Sequence, residues 1–200
     1  MESSAGKAYK IIEQFFTEVL GLNSAHADTF RRVATYRSLK RKEFLIREGT
    51  VCDFIGIVIN GSLRSFVANA EAEFNNDFYF GSSIVSAYSS YLTEEKTNCN
   101  IQALEDAELV MITRRDLDVL IEADLSWLKF TQHVSDTYFK RKCRRETSFL
   151  KYTAKERYEC VLTTYPGIEQ LVPQYHIASF LGIKPESLSR IKLLAYINGG

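Results

Sequence analysis

The sequence has few of the residues that metal, redox and catalytic sites require. Its 200 residues include three histidines and four cysteines, and no two cysteines form a C-x-x-C pair. Because zinc and iron–sulfur sites need clustered ligands, this spacing favours reduced thiols and predicts neither a metal nor a cofactor. Glycine-rich phosphate loops, nucleophile elbows and H-E-x-x-H motifs are also missing. We therefore predict that the protein has no catalytic residues and is not an enzyme.

Long apolar runs and prolines are scarce as well. The run Phe54–Ile59 is typical of the longest, far below the ~18 residues that cross a bilayer. Residues 1–10 are polar where a signal peptide would have an apolar segment. Three prolines and 46% hydrophobic residues exclude a disordered chain. The sequence thus predicts a globular, cytoplasmic protein without membrane contact.

Charge is balanced overall but unevenly distributed. The chain has 25 acidic and 25 basic side chains. Residues 1–120 contain 13 basic and 17 acidic side chains, whereas residues 121–200 contain 12 and 8. This asymmetry indicates two parts with different functions.

The spacing of apolar residues predicts helices at both ends of the chain and strands between them. Helices are predicted at Lys7–Leu20, Ala25–Val33 and Arg114–Ala123. The predicted strands are Phe44–Arg47, Phe54–Ile59, Leu63–Ala68, Phe74–Phe80, Asn100–Ala103 and Leu109–Ile112. Many short strands at close spacing favour a β-barrel or β-roll. Asn60-Gly61 predicts a hairpin, because both residues tolerate positive φ.

A long helix is predicted at Ser126–Leu150, and it is apolar on more than one side. Leu128, Val134 and Tyr138 lie along one side of this helix, whereas Trp127, Phe130 and Phe139 fall outside that line. A helix with two apolar faces needs two partners, and the second can be another copy of the chain. The residues predicted for such a dimer interface are Leu128, Thr131, Val134, Ser135 and Tyr138.

The segment from Pro173 to Lys192 has the pattern of a helix-turn-helix. Gly182 allows a sharp turn between two short helices, and Ala178 is small where the helices approach closely. Glu186 and Arg190 are predicted on the exposed face of the second helix, where arginine can bond to guanine and glutamate to cytosine. An ordinary helical hairpin with solvated charges is the alternative. Upstream, Thr153-Ala-Lys-Glu156 fits a capping box.

Three motifs in this order resemble the Crp/Fnr superfamily of bacterial transcription regulators. The segment 177–191 (IASFLGIKPESLSRI) resembles the helix-turn-helix of that family. The segments 45–49 (LIREG) and 53–61 (DFIGIVING) resemble the opening strands of its cyclic-nucleotide-binding β-roll, and 103–109 (ALEDAEL) its closing strands. The motifs cover nearly the whole chain in the order of that family.

The resemblance implies an α+β fold in three parts. Residues 1–125 would form a double-stranded β-roll that senses an effector, 126–150 a dimerisation helix, and 151–200 an all-α helix-turn-helix domain. The implied partners are double-stranded DNA, a second copy and, as a candidate, RNA polymerase. Glu186 and Arg190 match the family's base-reading positions, while Pro185 replaces an arginine found in some members. The residues predicted to contact DNA are Gln174, Tyr175, Lys184, Glu186, Ser187, Arg190 and Lys192.

The nucleotide pocket of the family departs from its pattern in this chain. Ser82 stands where the family has a ribose-binding glutamate, and Thr97 where it has a phosphate-binding arginine. Lys96 could supply a point charge, or it could be an ordinary loop lysine. Aromatic rings and hydroxyls could instead line a site for a neutral ligand, or the rings could simply fill the core. The residues predicted for this pocket are Phe80, Ser82, Ser83, Tyr88, Tyr91 and Thr97.

Two further alternatives remain at this point. No strand pair that could form a wing follows the second helix before Gly200, which lends some support to the alternative of a ligand-sensing module that acts on a protein partner with a vestigial DNA element. Cys143 lies in a basic run that could lower the pKa of its thiol, or it could be an inert helix cysteine. The effector is not identified by the sequence.

Overall fold

The computed structural model describes residues 4–198, and the chain divides into two compact units. The first unit combines Met1–Ser65 with Phe78–Tyr138, and the second combines Phe66–Asp77 with Phe139–Gly200. All three boundaries between the units therefore fall inside a strand or a helix. The three-part division 1–125, 126–150 and 151–200 stays a prediction about functional parts.

The first unit begins with two helices, as the apolar spacing predicts. They are α1 (Ser4–Gln14), continued by a π-helical turn at Phe15–Val19, and α2 (Ser24–Val33). Asn23 caps α2, because its side chain accepts a hydrogen bond from the backbone N–H of His26. Phe16, in the π-helical turn, and Phe30, on α2, are fully buried.

Eight strands form the β-roll that the sequence predicts. They are β1 (Thr35–Leu39), β2 (Phe44–Ile46), β3 (Phe54–Asn60), β4 (Leu63–Ala68), β5 (Glu73–Tyr79), β6 (Ile84–Val85), β7 (Asn100–Ala103) and β8 (Ala107–Thr113). Their two sheets have the orders β1-β8-β3-β6 and β2-β7-β4-β5. The α+β prediction is therefore confirmed. Strand β1 escaped prediction because four of its five residues are exposed, so it has no alternating apolar pattern.

The hairpin predicted at Asn60-Gly61 is wrong. Strands β3 and β4 flank this dipeptide but lie in different sheets, so the chain turns a corner between sheets. Gly61 has φ +84°, and a Cβ there would lie 2.4 Å from the carbonyl oxygen of Asp106. The turn signal was real, but a local signal does not specify which strand will pair with which.

The end of the first unit is helical. A short helix, α3 (Tyr88–Thr93), was not predicted; α4 (Arg114–Ala123) follows β8 as expected. A 3-10 turn at Leu125–Trp127 leads into the long helix α5 (Leu128–Lys151).

Two of the five residues predicted for the dimer interface are buried within the first unit and so are not accessible to a second copy. Val134 and Tyr138 are buried within the first unit, together with Trp127 and Phe130. The inward line of α5 follows the i, i+4 spacing from Phe130 through Val134 to Tyr138, since residues four apart share a helix face. The predicted line instead mixed inward residues with Leu128, which is 48% exposed.

The second unit contains four further helices. They are α6 (Ala154–Thr164), α7 (Ile168–Leu171), α8 (Gln174–Leu181) and α9 (Pro185–Asn198). The capping box is confirmed: the hydroxyl of Thr153 accepts from the backbone of Glu156, whose carboxylate accepts from the backbone of Thr153. Helix α7 is a single turn that was too short to predict.

Replacement of Gly61 by alanine tests the close backbone approach at the turn between β3 and β4. We expect Gly61→Ala to lower the free energy of unfolding by at least about 2 kcal/mol, because positive φ and a steric clash combine. Gly49→Ala is the control: φ there is +83°, but no atom lies within 4 Å of the added Cβ. Urea unfolding measures both. Equal losses in the two variants would contradict the close approach at Gly61.

Candidate functional site

The turn between α8 and α9 depends on a glycine. Gly182 ends α8 with φ +68° and ψ 33°, and its N–H donates to the carbonyl of Ser179 at 3.1 Å. A Cβ at this position would lie 2.9 Å from the ring of Phe149, so glycine is needed for space as well as conformation. Ile177 and Leu188 are fully buried between the helices. The predicted helix-turn-helix is therefore present, with Pro173 as N-cap of its first helix.

The side chains predicted to read DNA lie on the surface of this motif. Glu186 and Arg190 are exposed one helical turn apart on α9, and Ser187 beside them is half-buried. Lys184 is exposed just before α9, and Gln174 and Tyr175 are exposed in the first turn of α8. This pattern is that of a helix with one packed and one free face.

Lys192 differs from this pattern. Its Nζ lies 2.6 Å from Oε1 of Glu169, which also accepts a 2.6 Å hydrogen bond from the hydroxyl of Tyr158. These bonds from Lys192 and Tyr158 lower the pKa of Glu169, whereas burial and the Glu169 carboxylate raise the pKa of Tyr158. Lys192 is thus already engaged, and Lys184 is the more available lysine.

A buried polar network joins residues 73–77 of β5 to the helices of the second unit. Asp77 is 7% exposed, and its Oδ1 accepts a 2.7 Å hydrogen bond from the hydroxyl of Tyr165. Nη1 of Arg141 lies 3.3 Å from its other oxygen. Burial, followed by the charge of Asp77, raises the pKa of Tyr165 well above its usual value. The phenol therefore stays a hydrogen-bond donor.

A second set of bonds attaches Asn75 to α8. The backbone N–H of Asn75 donates to Oγ of Ser179 at 3.0 Å, and that hydroxyl donates to the carbonyl of Glu73 at 2.9 Å. The side-chain nitrogen of Asn75 lies 3.2 Å from Nδ1 of His176. Sequence reasoning missed these residues. The available signal was polar Glu73, Asn75 and Asp77 at every second position of an apolar strand.

In the roll, the predicted pocket tyrosines pack on α5. The rings of Tyr88 and Tyr138 stack with centroids 4.6 Å apart, and Tyr91 lies 5.9 Å from Tyr88. The hydroxyl of Tyr138 donates to the carbonyl of Ser86 at 3.1 Å. The guanidinium of Arg114 lies 4.4 Å from the ring centre of Tyr91, whose pKa burial raises to about 12. These contacts support the alternative that the rings form core.

The remaining pocket residues are used by local turns. Ser82 is exposed at φ +68°, and Oγ of Ser83 accepts from the backbone N–H of Phe80. Thr97 is buried, and its hydroxyl accepts from the backbone N–H of Cys99 at 3.1 Å. The structure brings Tyr88 and Tyr91 together, but among the described residues neither forms a hydrogen bond with Ser82 or Thr97. A ligand site here stays a prediction.

Comparison with known protein families finds a match within the roll. Residues 36–124 match the family described as Cyclic nucleotide-binding domain. No protein of curated function is significantly similar to the sequence.

Solved structures share the fold over most of the chain. FixK2 from Bradyrhizobium japonicum is 16% identical with a TM-score of 0.72, covering 84% of this chain and 86% of its own. The c-di-GMP-responsive global regulator CLP from Xanthomonas campestris is 14% identical with a TM-score of 0.69, covering 88% and 93%. A Crp/Fnr-family regulator from Eubacterium rectale is 18% identical with a TM-score of 0.66, covering 94% and 89%. The predicted Crp/Fnr resemblance is confirmed, and the chain has the fold of these regulators.

Within residues 4–198, no group of three or more histidine, cysteine, aspartate or glutamate side chains is arranged to hold a metal ion. No helix in this range is both long and apolar enough to cross a membrane.

The bond between Tyr165 and Asp77 can be tested by stability. Tyr165→Phe leaves a buried carboxylate oxygen without its donor, and we expect a loss of about 1–3 kcal/mol in unfolding free energy. The control is Tyr175→Phe on α8, whose side chain is 58% exposed and whose change should stay within about 0.5 kcal/mol. Urea denaturation compares them. If both variants match the parent protein, the network does not stabilise the unit.

Proposed function

We propose that the protein is a DNA-binding transcription regulator that acts as a homodimer, with the roll as its effector-sensing part. The observation that carries this proposal is the exposed pair Glu186 and Arg190 on the free face of α9, behind a buried helix-turn-helix core. Arginine and glutamate at this spacing can reach adjacent base pairs in a major groove. The shared fold with gene regulators supports the role of regulator rather than enzyme, and with it a place in the cytoplasm, with RNA polymerase as a candidate partner.

The charge distribution also supports DNA binding. Lys140, Lys142 and Arg144 lie on α5 within the basic part of the chain, and their charges would attract the phosphate backbone. The effector would differ from a cyclic nucleotide held in the usual way. Ser82 and Thr97 offer no charge to a ribose–phosphate, and a buried phosphate needs a bidentate cationic partner.

Dimerisation would use the outer face of α5. Leu128, Phe139 and Leu150 follow at intervals of eleven residues, close to three helical turns, and are 48%, 71% and 82% exposed. Thr131 and Ser135, two other predicted interface residues, are not buried, although Ser135 also hydrogen-bonds the side chain of Tyr88. A second copy would cover apolar side chains that otherwise face water, and it would place two recognition helices on a two-fold symmetric DNA site.

The first experiment compares two variants of the recognition helix on an operator selected from a random duplex pool. Arg190→Ala should cost about 1–3 kcal/mol on the selected site and flatten the preference at one base pair. Lys184→Ala should weaken all sequences alike and reduce the salt slope by about 0.9. Fluorescence anisotropy over a salt series measures both effects.

The contrast between the two variants decides the interpretation. Equal losses on selected and random duplexes for Arg190→Ala and Lys184→Ala would mean that α9 does not read bases. No selectable duplex at all would favour the alternative of a sensor that acts on a protein partner.

The second experiment tests the dimer without disturbing the core. Phe139→Glu places a charge on the exposed face of α5 and should convert dimers to monomers at low micromolar concentration, because a buried unpaired charge is strongly unfavourable. Val119→Glu, at an equally apolar position on α4 that is 57% exposed, is the control and should remain dimeric. Light scattering reports the mass. A dimeric Phe139→Glu protein would place the interface elsewhere.

A further inference from the structure

A groove in the second unit has basic and aromatic walls. It lies between α5, α6 and the end of α8 and is open to solvent. Phe149 and Phe180 contribute rings, and none of the described residues that line it is acidic. Four arginines line the groove: Arg141, Arg144, Arg145 and Arg157.

Three of these guanidinium groups form no ion pair with a carboxylate among the described residues, although the charge of Asp77 acts on Arg145. Arg145 donates to the carbonyls of Phe180 and Asn75 at 2.9 and 3.3 Å. Arg157 donates to the carbonyls of Leu181 and Tyr152 at 3.3 and 2.8 Å. Carbonyl partners fix the guanidinium groups in place but leave their charge. Arg144 is exposed and forms no ion pair in the described part of the chain, whereas Arg141 pairs with Asp77.

Two of the charges lie against the same ring. The guanidinium carbons of Arg145 and Arg157 are each 4.8 Å from the ring centre of Phe149, and that of Arg145 is 4.3 Å from the ring centre of Phe180. Burial lowers the pKa of Arg145, the nearby Tyr165 and Asp77 act in the opposite direction, and the charge of Arg157 adds a smaller lowering. Like charges held this close repel, so an anion bound beside them would relieve the repulsion.

We propose that this groove binds a small organic anion with an aromatic body. The ring would pack between Phe149, Phe180 and Leu181, and the anionic group would lie near Arg144 at the open side, in the field of Arg145 and Arg157. Aromatic walls with a few convergent charged groups are the usual composition of such sites. The site lies in the helix-turn-helix unit and is separate from the predicted pocket of the roll, so it goes beyond the proposed function.

Calorimetry on the full chain can distinguish how much of the binding affinity comes from the charge of the ligand and how much from its aromatic ring. We expect 1-naphthoate to bind at least tenfold more tightly than the neutral 1-naphthamide or inorganic phosphate. Arg144→Gln should weaken naphthoate binding about tenfold, because a charge-assisted hydrogen bond is lost. Lys142→Gln, two residues earlier on the same helix and outside the groove, removes the same charge and should change the affinity less than twofold.

Cysteine alkylation supplies an independent readout. Cys160 lines the groove, whereas Cys143 is exposed on α5 outside it. Naphthoate should slow the reaction of Cys160 with the neutral reagent iodoacetamide and leave Cys143 unaffected. Equal binding of naphthamide, equal effects of Arg144→Gln and Lys142→Gln, or equal protection of both cysteines would overturn the proposal. No DNA is present in either experiment, so a failure of DNA binding would not affect the result.

Discussion

The burial of one carboxylate, that of Asp77, constrains the second unit. A charged carboxylate removed from water is stable only if its oxygens are paired, and Tyr165 and Arg141 supply a partner to each oxygen. These two donors come from α6's C-terminal boundary and from α5. The strand that carries Asp77 must therefore stay with the helices. For this reason residues 66–77, although they belong to the sheet that contains β4 and β5, form one compact unit with residues 139–200.

Further hydrogen bonds connect residues 73–75 of β5 to α8, the first helix of the helix-turn-helix. The backbone N–H of Asn75 donates to the hydroxyl of Ser179, which in turn donates to the carbonyl of Glu73. His176 lies beside the side-chain amide of Asn75. Arg145 connects the carbonyl of Asn75 with that of Phe180. The first helix of the motif is thus held by polar contacts on one side, while α9 leaves Glu186 and Arg190 exposed. The proposed reading of DNA by α9 would need such a rigid support behind its exposed face.

Local patterns were sufficient wherever structure is decided by neighbours in sequence. The glycine of the helix-turn-helix, the Thr153 capping box and most strands follow from residue type and spacing, because φ preference, capping and alternation act over a few residues. The line of inward residues on α5 was harder. Val134 and Leu128 are equally apolar, and only the position of the roll's own core determines that Val134 faces inward. The spacing of apolar residues predicts that a side of a helix is buried, but not which part of the protein packs against it.

The sequence by itself determined the class of protein: a roll of short strands, a long helix and a helix-turn-helix, with arginine and glutamate on its exposed face. The tertiary structure alone decided which strands pair across the Asn60-Gly61 corner and which residues of α5 are available to a second copy. It also decided that Lys192 is paired with Glu169 and that four arginines line one groove. The physical reason is the distance along the sequence over which each kind of interaction acts. Backbone preferences act between neighbours, whereas ion pairs, stacked rings and buried carboxylates join residues that are far apart in the sequence, such as Asp77 and Tyr165 with a separation of 88.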